Sequence, residues 1–136
     1  MPTLPDDYLE FEKADFQRTV LVKEIGWHPV EIVKYELKKT KAGDADLRVF
    51  DLKGLDEDTG RKGIFLRFQV SSKAPKWVMS MLVAALDPEA RKQEGYKFKP
   101  ENAVGKRVDA YINHRRMDED DAESLTNNVK DFRPLS

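Results

Sequence analysis

Two histidines, several close-spaced carboxylates and a set of cations interleaved with aromatic rings are the residues of this 136-residue chain whose chemistry could amount to a function. His28 precedes Pro29, and His114 stands beside Arg115 and Arg116. Neither has a serine or carboxylate partner at a motif spacing, and the chain holds no nucleophile elbow, no Walker loop and no HExxH. Asp56, Asp58 and Gly60 begin like a calcium loop but lack its later acidic ligands, which reads as a hairpin turn. The acids Asp118, Glu119, Asp120, Asp121 and Glu123 read as a solvated loop. No catalytic centre, metal site or cofactor is therefore expected. The remaining kit is cations that neutralise phosphates and flat side chains on which bases stack. Its members are Lys38, Lys39, Lys41, Arg48, Phe50, Arg61, Lys62, Phe65, Arg67, Arg115 and Arg116.

A net charge of -1 looks unsuited to nucleic acid, but the acids are clustered. Residues 1 to 15 hold Asp6, Asp7, Glu10, Glu12 and Asp15 against Lys13 alone, and the run at 118 to 123 holds five more acids. The rest of the chain carries an excess of about eight basic side chains. A mixed charged surface would give the same excess. Length and composition, 40% hydrophobic and 36% charged, suit one soluble domain with its own core. The absence of cysteine suits a reducing compartment, so a cytoplasmic location is expected. No apolar run approaches the roughly 20 residues needed to span a bilayer.

The elements that must position the kit follow from periodicity. Residues 1–25 read as an acidic arm packed on the domain through Val20, Leu21, Val22 and Ile25, with the domain itself at 26–136. Trp27 to Leu37 reads as a first strand with a bulge near Val33, followed by a basic loop from Lys38 to Asp44. A second strand fits about Asp46 to Lys53, and Gly63 to Val70 is a third with Ile64, Leu66, Phe68 and Val70 on one face and Phe65, Arg67 and Gln69 on the other. Trp77, Val78, Met81, Leu82, Ala85 and Leu86 form a helical stripe opened by Pro75, and a short second helix ends at Gly95. Strands return at Arg107 to Asn113 and Asn128 to Arg133.

The order β-β-β-α-β-β predicts a mostly β domain with one main helix, a five-stranded OB-fold barrel. Such a barrel binds oligonucleotides on the face of its second and third strands, framed by the loops between strands one and two and strands four and five. Lys38, Lys39 and Lys41 fall in the first loop and Arg115 and Arg116 begin the second. Arg61 and Lys62 enter strand three beside Phe65 and Arg67. Arg48 and Phe50 also point outward if Leu47 and Val49 face the core. Alternatively, Phe50 and Phe65 cover a small second core beneath the arm. Trp77 is expected in the barrel bottom, Trp27 and Tyr35 stay open between core and groove, and Tyr111 is a weaker stacking candidate on the outward side of strand four.

The stretch Gly26-Trp27-His28-Pro29-Val30-Glu31-Ile32, then Lys38-Lys39-Thr40-Lys41-Ala42-Gly43-Asp44, resembles the opening of small single-stranded-DNA-binding proteins of bacteriophage replication and recombination modules. Val104-Gly105-Lys106-Arg107-Val108 and Asn127-Asn128-Val129-Lys130-Asp131-Phe132-Arg133-Pro134 are similar to their later pattern. The resemblance implies an OB fold, binding of single strands without sequence preference, no enzymatic activity, and work in the host cytoplasm beside replication or recombination proteins. The acidic arm is longer than that pattern, and the acidic, hydrophobic-tipped tail of cellular single-strand binders is lacking. The expectation is thus protection of single-stranded DNA. Its rival is an OB-like protein-interaction or virion-structural module that binds no nucleic acid. Strand edges leave a homo-oligomer open.

Overall fold

The computed structural model describes residues 9–11, 20–116 and 125–135. Its elements are β1 (Gly26–Lys39), β2 (Asp46–Gly54), β3 (Leu66–Ser71), α1 (Lys76–Leu86), β4 (Arg107–Arg116) and β5 (Leu125–Arg133), with 3-10 turns at Pro88–Lys92 and Pro100–Ala103 between α1 and β4. The fold is mostly β with one helix, in the anticipated β-β-β-α-β-β order. All five strands form one antiparallel sheet in the order β3-β2-β1-β4-β5. Among the described residues no ladder joins β3 to β5, so the sheet is open between them. No helix among these residues is long and apolar enough to cross a membrane.

Strand β1 is long because it serves two partners. Gly26 to Glu31 pair with β4, and Val30 to Lys39 pair with β2. The register shifts between Ile32 and Lys34, so the expected bulge is present and Val33 is turned out, 42% exposed. The core lies on one side of the sheet, where Val30, Ile32, Phe50, Leu66, Val108, Ala110 and Ile112 are essentially inaccessible and α1 adds Leu82 and Ala85. The tight turn after β2 brings Thr59 so close that a Cβ at Gly54 would fall 2.2 Å from its side chain. Asp56 caps that turn, accepting from the Thr59 amide at 2.8 Å and its hydroxyl at 2.5 Å.

Several expected boundaries move. Strand β1 continues through Lys38 and Lys39, and β4 through Arg115 and Arg116, so these four residues lie on strands rather than in loops. Ladder pairing carries each strand beyond its apolar stretch. Strand β3 begins at Leu66 rather than Gly63, because Gly63 has φ +89° and Ile64 pairs instead with Val20 in an isolated parallel bridge. The short second helix is a 3-10 turn opened by Pro88 and capped by the Asp87 side chain.

The last part of the arm, residues 20–25, forms a strap across one end of the sheet opening. Val22 is buried in the core, and the Asn127 amide on β5 acts on it like a neighbouring strand. Its Oδ1 accepts from the Val22 amide at 2.9 Å and its Nδ2 donates to the Val20 carbonyl at 2.8 Å. His114 Nε2 donates to the Val22 carbonyl at 2.8 Å. On the other side Asp58 accepts from the amides of Lys23 and Glu24 and from Arg61 Nη2, all at 2.8 to 2.9 Å. His28 is 4% exposed, with Nδ1 2.6 Å from Asp56 Oδ2 and Nε2 2.7 Å from the Glu24 carbonyl. Both partners are acceptors, an arrangement that favours a proton on each ring nitrogen and hence the imidazolium form.

These contacts make the strap sensitive to pH from both sides. Burial works against the charged form of Asp58, but the two amides and Arg61 outweigh it and hold its carboxyl at about 2. That corresponds to about 2 kcal/mol of stability, present above the ordinary carboxylate range and lost as pH falls toward 2. Asp58→Asn should therefore cost about 2 kcal/mol at pH 7 in urea denaturation. Burial also opposes the His28 charge, but Asp56 and the Glu24 carbonyl overcome it and raise its pKa. Its contribution is fully present below the ordinary histidine value and fades as pH rises through the raised one. Thermal melts should show the parent losing more stability than His28→Gln between pH 6 and pH 9, and equal losses would refute the imidazolium.

Candidate nucleic-acid interface

The opening between β3 and β5 is a groove of about 1030 Å³. Phe65, Arg67 and Gln69 form one wall, Arg115, Arg116, Asn128 and Lys130 the other, and Trp77, Val78 and Met81 of α1 the floor. Of the expected set, the structure thus brings together Phe65, Arg67, Arg115 and Arg116. Phe65 is 53% exposed, and the Arg67 guanidinium lies 4.8 Å from its ring centroid. Asp51 fixes that guanidinium by accepting from Nε at 2.8 Å. Arg115, Arg116 and Lys130 make no ion pair among the described residues, and Asp131 is the one acid lining the groove there.

Two expectations on β2 are corrected. Phe50 is fully buried, 5.0 Å from the Tyr35 ring and 6.2 Å from that of Phe68, where no base can reach it. Arg48 shares that inward parity, opposite Val70 and Leu37 at the end of the core. The parity is reversed because Phe50 and Leu52 hold the interior, while Val49 is covered on the outer face between Glu36 and Gln69. Tyr35 packs against the core, and Trp27 stands on the outward face beside Tyr111.

The other cations do not join the groove. Arg61 is a strap residue, donating to the Leu21 carbonyl at 2.6 Å and to Asp58 at 2.8 Å. Lys62 is exposed just before Gly63. Lys38 pairs with Glu36 at 3.1 Å and Lys39 with Asp46 at 2.6 Å, while Lys41 is exposed in the β1–β2 loop. Lys73 adds a pair with Asp44. Several cations of β1 to β3 are therefore already ion-paired, Lys34 and Lys38 through the one carboxylate of Glu36. The acidic run 118–123 and residues 1–8 and 12–19 of the arm lie outside the described residues. Among those described, no three His, Asp or Glu side chains converge as metal ligands.

Two groove residues escaped the sequence reading. Trp77 is 63% exposed rather than packed in the barrel bottom. It precedes the buried Leu82 by five residues, a rotation of about 140° around the helix, whereas Val78 is only about 40° away. Lys130 is the extra residue of a bulge, where the register passes from Tyr111↔Asp131 to Ile112↔Val129. The three-residue spacing of the buried Val129 and Phe132 was the available signal, since an unbroken strand repeats every two. No protein-family model and no curated protein matches the chain.

The two phenylalanines should separate cleanly in stability. Phe50→Ala should cost about 3 to 5 kcal/mol, the range for a buried aromatic, in urea denaturation. Phe65→Ala should change stability by no more than about 0.5 kcal/mol, as exposed positions do. Similar losses for both would place Phe65 in a core.

Proposed function

We propose that this chain binds single-stranded DNA without sequence preference in the groove between β3 and β5. The observation that carries the reading is the pair of exposed rings, Phe65 and Trp77, in one groove with Arg115, Arg116 and Lys130. Stacking accepts any base because every base has a π face, and cations track a backbone that reads no sequence. The sheet order is that of an OB barrel opened between its third and fifth strands, with the helix in the usual place between strands three and four. The biological work consistent with the resemblance is protection of transient single strands in phage replication or recombination, in the host cytoplasm. No step of this reading needs a catalytic group.

The ion pairs Lys38–Glu36 and Arg67–Asp51 on the outer face of β1 to β3 favour a second reading for that face, a protein-interaction surface. Titration with single-stranded and double-stranded DNA of one sequence across a salt series separates the two readings. A groove binder prefers the single strand. Trp77→Ala and Phe65→Ala should each weaken binding by about 1 to 3 kcal/mol with the salt slope unchanged. Replacing Arg115 and Arg116 by alanine should flatten the slope of log affinity against log salt by roughly 0.7 for each lost phosphate contact. No binding to oligothymidine at low salt refutes the function.

A further inference from the structure

Outside the groove, the outward face of β1, β4 and β5 carries a second aromatic assembly. Trp27 and Tyr111 are register partners, with their rings in edge contact at 5.5 Å between centroids. Arg133 on β5 lays its guanidinium over the Trp27 ring at 4.3 Å. Asp109, only 6% exposed, holds that guanidinium by accepting from Nε at 3.0 Å, while half of the Arg133 side chain remains open to solvent. The core is on the opposite face of these strands, built by Val30, Val108, Ala110 and Phe132. The indole and guanidinium stack is thus not part of that core, yet a nearly buried carboxylate fixes its orientation.

The assembly is also continuous with the groove. Asn113 lies on the same face as Tyr111, two residues further along β4, and accepts from Asn128 Nδ2 at 2.9 Å. Asn128 in turn lines the groove wall. We propose that this platform is a second nucleobase subsite, which takes an unpaired base of the same strand after the strand has crossed β5. The base stacks on the guanidinium and indole, and the amides of Asn113 and Asn128 offer donors and acceptors to its edge. This inference rests on the groove reading, and extends the bound length beyond what Phe65 and Trp77 can cover.

The chain has two tryptophans, one in each subsite, so each can report alone. Trp27→Phe leaves Trp77 as the fluorophore of the groove, and Trp77→Phe leaves Trp27 as that of the platform. Each variant is titrated with oligothymidine of about 4 and about 15 nucleotides, which bracket the usual span of one OB-type domain. Trp77 should be quenched by both lengths and Trp27 only by the longer. Arg133→Lys retains a charge for Asp109 but loses the planar guanidinium, and Arg133→Ala loses both. Both should weaken binding of the long oligomer about fivefold to a hundredfold, the effect of losing one stacked base, and leave the short one unchanged. If Trp77 responds while Trp27 stays silent at both lengths, or if Arg133→Lys binds the long oligomer like the parent, the platform is wrong and the groove stands. If neither tryptophan responds and no binding is found by anisotropy, the groove reading fails and the platform falls with it. Quenching of Trp27 by the short oligomer with Trp77 silent also overturns the proposed path.

Discussion

Residues Val30 to Ile32 are the part of β1 bonded on both sides at once, to Leu52–Gly54 of β2 and to the Lys106–Val108 stretch that leads into β4. Before them the strand belongs to β4, and after them to β2. A strand that changes partner in this way must coil, and the bulge at Val33 supplies the local twist. Val30 and Ile32 are completely buried at that crossing, so a slip of one residue would expose the centre of the core. The coiling turns the outer edges of β3 and β5 toward each other, with α1 beneath and the strap across one end. The groove is the space that this constraint leaves between two edges that no ladder joins, although Phe68 and Phe132 pack together between them at 4.9 Å.

Much of that architecture was legible. The alternation of Leu66, Phe68 and Val70, the break near Val33 and the stripe through Val78, Leu82 and Ala85 each fixed an element and its inward face. The side assignment failed on β2, where Leu47, Val49, Phe50 and Leu52 place apolar residues on both parities and local pattern cannot choose between them. Only pairing with Tyr35 and Phe68 from neighbouring strands decides that Phe50 goes in. The site was half legible for the same reason. Phe65 and Arg67 follow from a clean alternation, whereas the approach of Trp77 and Lys130 depends on how α1 and β5 dock.

The electrostatics divide the molecule into two surfaces of different character. On β1 to β3 Lys34, Lys38, Lys39 and Arg67 are paired with acids, so a phosphate arriving at any of them must displace a partner. Arg67 is such a case, and its value lies in the flat guanidinium held against Phe65 rather than in its charge. Along β5 and the end of β4 the cations are less committed among the described residues. Binding through the groove would accordingly combine stacking on ring and guanidinium planes with phosphate contacts from these cations.

The strap carries a consequence for how the chain reaches its native state. Val22 sits near the start of the sequence, but its amide is satisfied 105 residues later by Asn127, and its carbonyl 92 residues later by His114. During synthesis, then, the segment leaves the ribosome well before the strand that will receive it, and β3 is complete while its outer edge still has nothing across the gap. Contacts of such long range demand loop closure before they return any stabilisation, which makes the docking of residues 20–25 a late event in folding. Until β5 has been made, Val22 and the outer edge of β3 have none of the native neighbours that β5 supplies.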